Sequence, residues 1–432
     1  MVCLQKQPTG TESAQMNFSA NNLTPGLIST VLADKSIEKP TPNRPLKIVH
    51  VGKYYPPANG GIETHTQNLA RAQAELGAQV RVLVVNHRDS QGDDVTFRTW
   101  RRTLTVEDTD NGVRIYRVGR LACLAKLDWA PGLLRALRIL NRDTPDIWHL
   151  HTPNVTMMLA LASFYRVRPL VITHHSDIIR QKWLRHLIRP IERRVYGRAL
   201  RILTTSDSYI SGSDLLQHYS DKVSAVPLGI ELDSFQNPSA TALRQADNFR
   251  NLHGQPLWLC VGRLIYYKGF DNAINALKDV PGKLMIIGNG PLELSLRQQA
   301  ARLGVADRVI WMGKASHDEL VGAYRAATAL WFPSNARSEG FGLVQVEAMA
   351  CGTPVINSEI AGSGVSWVSR DGDTGLTVPK NDPLALARAS RRLLEEPGLR
   401  EEFALRCPER AAGEFCYHRM AERSMQAYES LL

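Results

Sequence analysis

The feature that most constrains the fold is an alternation of short apolar runs with helix-like segments in the first half of the chain. The apolar runs are rich in β-branched residues and cover residues 46–51, 80–85, 115–118, 147–150, 170–173 and 202–205. Helix-like segments such as residues 63–76 separate most of them. Strands that are almost continuously apolar, with helices between them, predict a parallel doubly wound sheet.

The same alternation starts again after Pro238. Apolar runs at residues 257–261, 283–287, 309–311, 329–332 and 355–357 predict a second sheet. The chain is therefore expected to be α/β, with two doubly wound Rossmann-like domains that face a cleft. Ligands of such sheets bind beyond the carboxyl ends of the strands, so the cleft is the expected site.

Domain boundaries follow from this pattern. We predict an N-terminal domain over residues 45–235 and a C-terminal domain over residues 245–414. Residues 1–44 are polar, lack periodicity and end in a proline-rich stretch, which predicts a mobile N-terminal extension. An amphipathic helix is predicted at about residues 415–432, but periodicity alone does not place it in either domain.

Composition and charge exclude some classes of protein. With 44% hydrophobic and 22% charged residues, the chain resembles a soluble globular protein. Six cysteines form no C-x-x-C pair, so neither a zinc site nor a disulfide framework is predicted. The net charge of +10 favours anionic partners such as phosphates, nucleic acid or an acidic membrane. No signal peptide is evident, and residues 157–164, the most apolar run, fall far short of the ~20 needed to span a bilayer, so a cytoplasmic location is expected.

The strongest motif is an acidic, glycine-containing segment at residues 338–355. Glu339 precedes Gly340 and Gly342 at the predicted start of a helix, and Glu347 follows about two turns later. Glycines leave the backbone amides at a helix start accessible, and these amides with the helix dipole favour an anion. Glu347 could accept hydrogen bonds from ribose hydroxyls. Alternatively, both glutamates are solvated residues of an amphipathic helix.

A second motif follows the predicted strand at residues 257–261. Gly262, Arg263 and Lys268 would lie at the carboxyl end of that strand, facing the cleft. Two cations suit a diphosphate leaving group, whose negative charge grows as the glycosidic bond breaks. The glycine-rich stretch at residues 287–291 either lines the same nucleotide pocket or is a tight turn.

Two further motifs follow strands in the first half. Gly60 and Gly61 permit close approach of a ligand to a helix start, although they do not match the dinucleotide fingerprint. His174 and His175 are adjacent, but successive side chains point apart and no third ligand is evident, so no metal is predicted. His175 could hydrogen-bond a sugar or a phosphate, whereas His149 and His151 are interpreted as structural.

Together and in this order, these motifs resemble the family-4 retaining glycosyltransferases with the GT-B fold, over about residues 46–432. The resemblance implies that Arg263 and Lys268 bind the donor diphosphate and that Glu339 contacts the transferred sugar. Its implied catalytic residues are His175, Arg263, Lys268 and Glu339. Its implied donor-binding residues are Gly61, Gly262, Phe341, Gly342, Leu343 and Glu347. It further implies no cofactor, no metal, and return of the final helix to the N-terminal domain.

The string His175–Ile178 and the segment around Lys268 resemble bacterial mannosyltransferases and related enzymes of surface polysaccharides. GDP-mannose is therefore the expected donor, with UDP-sugars as the alternative. Residues 178–201 contain eight Arg or Lys against one Glu, with apolar residues at helical spacing. Such a segment either lies on anionic lipid, which favours a polyprenyl-diphosphate-linked or oligosaccharide acceptor, or is a surface helix with its apolar side in the core.

Two other classes of function fit parts of the sequence. A GT-B sugar-nucleotide epimerase or hydrolase would release nucleotide without an acceptor. A non-enzymatic nucleic-acid-binding protein would account for the positive charge, but the chain lacks a basic groove interleaved with aromatic residues, so no nucleic-acid partner is expected.

Overall fold

The computed structural model describes residues 44–58, 60–89, 92–93, 98–125, 127–177 and 182–432. The expected extension at residues 1–44 lies outside this part of the chain, apart from Arg44. Residues 178–181 of the basic segment lie outside it as well.

The first half of the chain forms an eight-stranded sheet with helices on both faces. Its strands and those of two small neighbouring sheets are β1 (Lys47–Val51), β2 (Gln79–Val85), β3 (Arg88–Asp89), β4 (Gly92–Asp93), β5 (Arg98–Thr99), β6 (Val106–Asp110), β7 (Val113–Val118), β8 (Ala122–Leu124), β9 (Leu127–Trp129), β10 (Ile147–Thr152), β11 (Leu170–His174), β12 (Arg201–Thr204) and β13 (Val223–Ala225). The helices are α1 (Gly61–Glu75), α2 (Leu133–Arg142), α3 (Val155–Ser163), α4 (Lys182–Arg198), α5 (Asp207–Gly212), α6 (Asp214–Gln217) and α7 (Asp233–Gln236).

The strand order in this sheet is β13-β12-β11-β10-β1-β2-β7-β6. All neighbouring pairs are parallel except β6 and β7, which form an antiparallel hairpin. The six predicted strands are confirmed. Strand β6 was not predicted, because its residues are mostly exposed and polar. Asn111 and Gly112, both at positive φ, form the turn of this hairpin and were its one available signal.

The second half forms a six-stranded, fully parallel sheet in the order β16-β15-β14-β17-β18-β19. Its strands are β14 (Leu257–Val261), β15 (Lys283–Ile287), β16 (Val309–Gly313), β17 (Ala329–Phe332), β18 (Val355–Glu359) and β19 (Gly375–Pro379). The helices are α8 (Ala240–His253), α9 (Phe270–Ala276), α10 (Glu293–Arg302), α11 (His317–Ala326), α12 (Leu343–Ala350), α13 (Val365–Val368), α14 (Pro383–Glu395), α15 (Leu399–Phe415) and α16 (Tyr417–Glu429). Short 3₁₀ turns occur at Ser220–Lys222, Tyr266–Lys268, Leu277–Asp279 and Ala306–Arg308.

Each sheet is buried on both faces, as the apolar strands predicted. In the second sheet, Trp258 of β14 and Trp331 of β17 stack with ring centroids 5.1 Å apart and are fully buried. Separate apolar clusters lie on the two faces of each sheet. Burial of apolar side chains on both faces holds each strand in place. The ends of the strands, and the loops that follow them, are positioned as a result.

The chain passes between the two halves at two adjacent points. The backbone of Ile230 donates to Phe415 and accepts from Tyr417, so the outgoing and returning segments are hydrogen-bonded side by side. After this point α16 packs on α1, and its residues Met420 and Tyr428 are buried in apolar clusters of the first half.

In α4, from residue 188 onward, the apolar residues Ile188, Val195 and Tyr196 belong to the core of the first half. Arg189, Arg193 and Arg194 of the same helix are exposed. Throughout the described residues, every helix is too short or too polar to traverse a lipid bilayer.

Candidate functional site

The loop between β17 and α12 adopts a conformation that requires glycine. Gly342 caps α12 in the left-handed region, with φ of 81°. A Cβ at this position would lie 2.5 Å from Cζ of Phe332, so a larger residue would both strain the backbone and displace that ring. Phe341 is buried and packs edge-on against Phe415, which leaves its backbone to face the helix start.

The start of α12 presents unpaired amides. Within the described residues, the backbone N–H groups of Phe341, Gly342 and Leu343 have no hydrogen-bond acceptor. Such groups at a helix N-terminus, together with the helix dipole, stabilise an anion. The expected anion site is therefore available at this position.

Lys268 and Glu339 meet at the mouth of this loop. Nζ of Lys268 lies 2.6 Å from Oε2 of Glu339, and both side chains are largely buried, with 14% and 10% of their surface exposed. Ser334 also donates to that carboxylate oxygen, at 3.3 Å. The structure thus brings the predicted cation and the predicted carboxylate into direct contact.

Gly262 and Arg263 occupy the loop beside Lys268. A Cβ on Gly262, where φ is 146°, would lie 3.6 Å from Nζ of Lys268. Arg263 is exposed, and its guanidinium has no partner within the part of the chain that the structure describes. Gly288 packs on this loop so closely that a Cβ would lie 1.9 Å from the carbonyl oxygen of Gly262. The turn at residues 287–291 therefore serves to position the loop of Gly262 and Arg263.

Glu347 lies farther along α12 and is half-buried. Burial raises the pKa of Glu347, while the Tyr324 hydroxyl, His317 and Lys268 oppose that rise. The Tyr324 hydroxyl donates to its Oε2 at 2.6 Å. The carboxylate is therefore held in one orientation and is electrostatically close to Lys268.

His175 reaches this site from the other half of the chain. Its carbonyl oxygen would lie 3.3 Å from a Cβ on Gly340, next to Glu339. Two residues on, Asp177 forms an ion pair with Arg337 at 2.5 Å. Burial alone would raise the pKa of Asp177, but His174, Ser213 and Arg337 outweigh it and lower the pKa to about 2. The loop after β11 and the loop after β17 therefore touch.

Gly61 lies at the start of α1, exposed and with open space around it. A Cβ built there meets no atom within 4 Å, so a ligand could approach. Gly60 is different, because a Cβ there would lie 2.1 Å from the carboxylate of Glu63. No measured contact joins Gly61 to Lys268 or Glu339 in the described residues.

Four histidines that the sequence did not assign to the site form a group with His175, and His65 and His151 contact it directly. The interpretation that no third imidazole lies near His175 is wrong. His65, His151, His50 and His149 form a continuous group with it. One signal was available, because His149 and His151 are two apart on a strand and so share a face. His50 pairs with His149 in the register of β1 and β10, and that register cannot be read from the sequence.

Comparison with protein families identifies both halves. A family model described as Glycosyltransferase Family 4 matches residues 59–234. A second model, described as Glycosyl transferases group 1, matches residues 244–410.

Similar proteins include two bacterial enzymes. The D-rhamnosyltransferase WbpZ of Pseudomonas aeruginosa is 32% identical over 358 residues, which cover 83% of this chain and 89% of that protein. The O-antigen chain mannosyltransferase C of Escherichia coli is 30% identical, over 89% of this chain and 98% of that protein. Among solved structures, Anabaena Alr3699/HepE in complex with UDP has a TM-score of 0.69 at 18% identity, covering 89% of this chain and all of that one. Sucrose-phosphate synthase of Thermosynechococcus elongatus has a TM-score of 0.71 at 23% identity, over 89% of this chain and 99% of that one.

Proposed function

The chain belongs to the family-4 glycosyltransferases with the GT-B fold, and on that premise we propose that it transfers mannose from GDP-mannose with retention of configuration. The acceptor is a lipid-linked or oligosaccharide molecule in surface-polysaccharide synthesis. The mannosyltransferase of Escherichia coli among its relatives supports this choice of sugar. The proposed domains are residues 45–235 with the helix at 415–432, on the acceptor side, and residues 245–414, on the donor side.

The contact between Lys268 and Glu339 beside unpaired amides carries the proposal. When the donor binds, its diphosphate attracts Lys268 and Arg263 and accepts hydrogen bonds from the amides at the start of α12. Lys268 then shares its charge with the phosphate, and Glu339 becomes free to accept hydrogen bonds from the sugar. Glu347 binds the ribose, and Gly61 and His175 approach the phosphate and sugar from the other half.

Catalysis follows from where charge develops. As the glycosidic bond breaks, negative charge grows on the leaving phosphate, and Lys268 and Arg263 stabilise it. The acceptor hydroxyl attacks the face from which the phosphate departs, and a phosphate oxygen takes its proton. Substitution on one face retains the configuration of the sugar. Two side-chain cations and a helix N-terminus neutralise the diphosphate, so we propose that transfer needs no divalent metal.

A donor screen tests this function. Purified protein is mixed with GDP-mannose, GDP-fucose, UDP-glucose or UDP-galactose, with and without a polyprenyl-diphosphate-linked acceptor, and nucleotide release is measured. We expect release from GDP-mannose that depends on the acceptor. A preference for UDP-sugars, which the UDP complex of HepE makes the second candidate, would overturn the donor assignment. Release that is independent of any acceptor would favour an epimerase or hydrolase.

We also propose a cytoplasmic location with attachment to the inner face of the plasma membrane. The exposed Arg189, Arg193 and Arg194 on α4 support this, because a cluster of cations binds anionic lipid. A variant with all three changed to Glu should float less with anionic liposomes than the wild type. A variant with three exposed arginines of α14 and α16 changed to Glu, Arg388, Arg392 and Arg419, is the matched control. Equal flotation of all three proteins would contradict the proposal.

A further inference from the structure

Three imidazoles converge beside the site from three different elements. His65 lies on α1, His151 lies on β10, and His175 follows β11. Their candidate ligand nitrogens lie within 4.8 Å of one another. Nδ1 of His151 and Nε2 of His175 are 3.4 Å apart, which is long for a hydrogen bond. Two nitrogens bound to one tetrahedral ion at ~2.1 Å would be about 3.4 Å apart.

No hydrogen bond among the described residues explains why His65 is polar. Only 3% of its surface is exposed, and neither ring nitrogen has a hydrogen-bond partner in the described residues. Its ring meets that of His175 edge-on at 4.5 Å. A buried polar group without a partner is unfavourable, so a ligand at this position would remove an existing penalty.

A chain of hydrogen bonds prepares His151 to bind an ion. Ser424 donates to Ala421 and therefore accepts from the amide nitrogen of Gln73, at 2.8 Å. This turns the amide oxygen of Gln73 towards His50, which donates to it from Nε2 at 2.7 Å. Nδ1 of His50 must then accept, and Nε2 of His151 donates to it at 2.9 Å. The unprotonated Nδ1 of His151 consequently faces His175, which is the arrangement that second-shell partners give to metal-binding histidines.

We propose that His65, His151 and His175 form a binding site for a transition-metal ion of the Zn²⁺ class. Three neutral imidazoles without a carboxylate select Zn²⁺, Cu²⁺ or Ni²⁺ over Mg²⁺ or Ca²⁺. Burial supports this assignment, because it lowers the pKa values of His151 and His175 and so keeps both rings neutral. The consequence for activity rests on the proposed function. When His175 binds the ion, its ring no longer contacts the donor sugar. The ion therefore inhibits transfer.

Zinc titration of the full chain tests the site without any donor. Metal-free protein is titrated with Zn²⁺ by calorimetry and in competition with a chromophoric chelator. We expect one ion per chain, and binding weakened by about 30-fold or more in His65→Asn, because one of three ligands is lost. The matched control is His218→Asn, an exposed histidine outside the group, which should bind as the wild type does.

X-ray absorption of the zinc-loaded wild type is independent of whether a variant folds. It should show about three imidazole nitrogens at ~2.0–2.1 Å. Absence of stoichiometric binding, or equal affinity in His65→Asn, would overturn the site.

Inhibition is then measured separately. Zn²⁺ should inhibit the wild type at lower concentrations than it inhibits His65→Asn, relative to each protein's own activity. Binding through His65 without inhibition would uphold the ion site and overturn the placement of His175 against the sugar.

Discussion

At the scale of single residues, the proposed reaction depends on Lys268, which lies between the carboxylate of Glu339 and Gly262. Changing Lys268 or Arg263 to Ala should lower kcat by ~10²-fold or more, because each stabilises the charge of the leaving phosphate. Initial rates with a saturating donor measure this. Lys278→Ala, at an exposed position, should leave kcat unchanged. Near-normal turnover in both active-site variants would refute the assignment.

Substitution of Glu347 should affect donor binding and protein stability in different ways. Glu347→Gln should raise the donor KM by about 10-fold or more, because hydrogen bonds to a charged group contribute roughly 1.5–3 kcal/mol. Burial raises the pKa of Glu347 above its value in the unfolded chain. The native state therefore holds this proton more tightly, and it loses stability as pH rises through the raised pKa. The side chain introduced by Glu347→Gln carries no charge that burial would disfavour, so the Tm at neutral pH should not fall. A lower Tm with unchanged KM would show that Glu347 has only a structural role.

The approach of Lys268 to Glu339 and Gly342 was predictable, because these residues lie in the loops after β14 and β17, and the sequence identifies both strands. The group around His175 was not predictable, since it joins residues from α1, β1, β10 and the loop after β11. Their proximity depends on strand register, and the protonation of the ring nitrogens depends on the orientation of the Gln73 amide; the sequence encodes neither locally.

At the scale of elements, the start of α12 is tightly constrained. Gly342→Ala should lower the free energy of unfolding by about 2–4 kcal/mol, because it combines a left-handed backbone with a clash. The clash involves Phe332, whose ring centroid lies 5.2 Å from Nζ of Lys268, so donor affinity should fall as well. Urea unfolding and calorimetry measure the two effects.

Gly413 is the matched control for this substitution. It lies inside α15, is exposed, and a Cβ there meets nothing within 4 Å. Gly413→Ala should therefore stabilise the protein by about 0.5–1 kcal/mol. If the two alanines had equal effects, the conformation assigned to Gly342 would be incorrect.

The elements themselves were predictable in proportion to their burial. The predicted strands are mostly apolar because helices cover both faces of each sheet. Strand β6 and the short strands β3 to β5 lie at or beyond the sheet edge, where no alternation or apolar run marks them. Periodicity predicted the final helix but not its location, which depends on contacts between Gln73 and Tyr428 far apart in sequence.

At the scale of the whole molecule, the ion pair between Asp177 and Arg337 joins the two halves beside the site. We expect Asp177→Asn and Arg337→Gln to be coupled by about 0.5–3 kcal/mol in the free energy of nucleoside-diphosphate binding, because both side chains are partly buried. Calorimetry on the two single variants and the double variant gives the coupling. Additive effects of the two substitutions on the binding free energy would mean that this contact between the halves does not contribute to nucleoside-diphosphate binding.

The contribution of this ion pair to stability is limited to a defined pH range. The pKa of Asp177 is lowered to about 2, below its usual value, so its charge stabilises the folded protein above about pH 4. That contribution disappears only as pH falls through 2. A change in this coupling between pH 5 and pH 8 would therefore not come from Asp177 losing its charge.

The adjacent passages at Ile230 and Cys416 have a consequence for biosynthesis. Residues 231–415 form the second half, yet α16, which supplies Tyr428 to the interior of the first half, is translated after all of them. While the ribosome makes that intervening stretch, the surface of α1 that α16 will cover, including Leu69 and Ala72, stays open to other apolar chains. The nascent first half should therefore need chaperone protection until the ribosome has released residues 417–429.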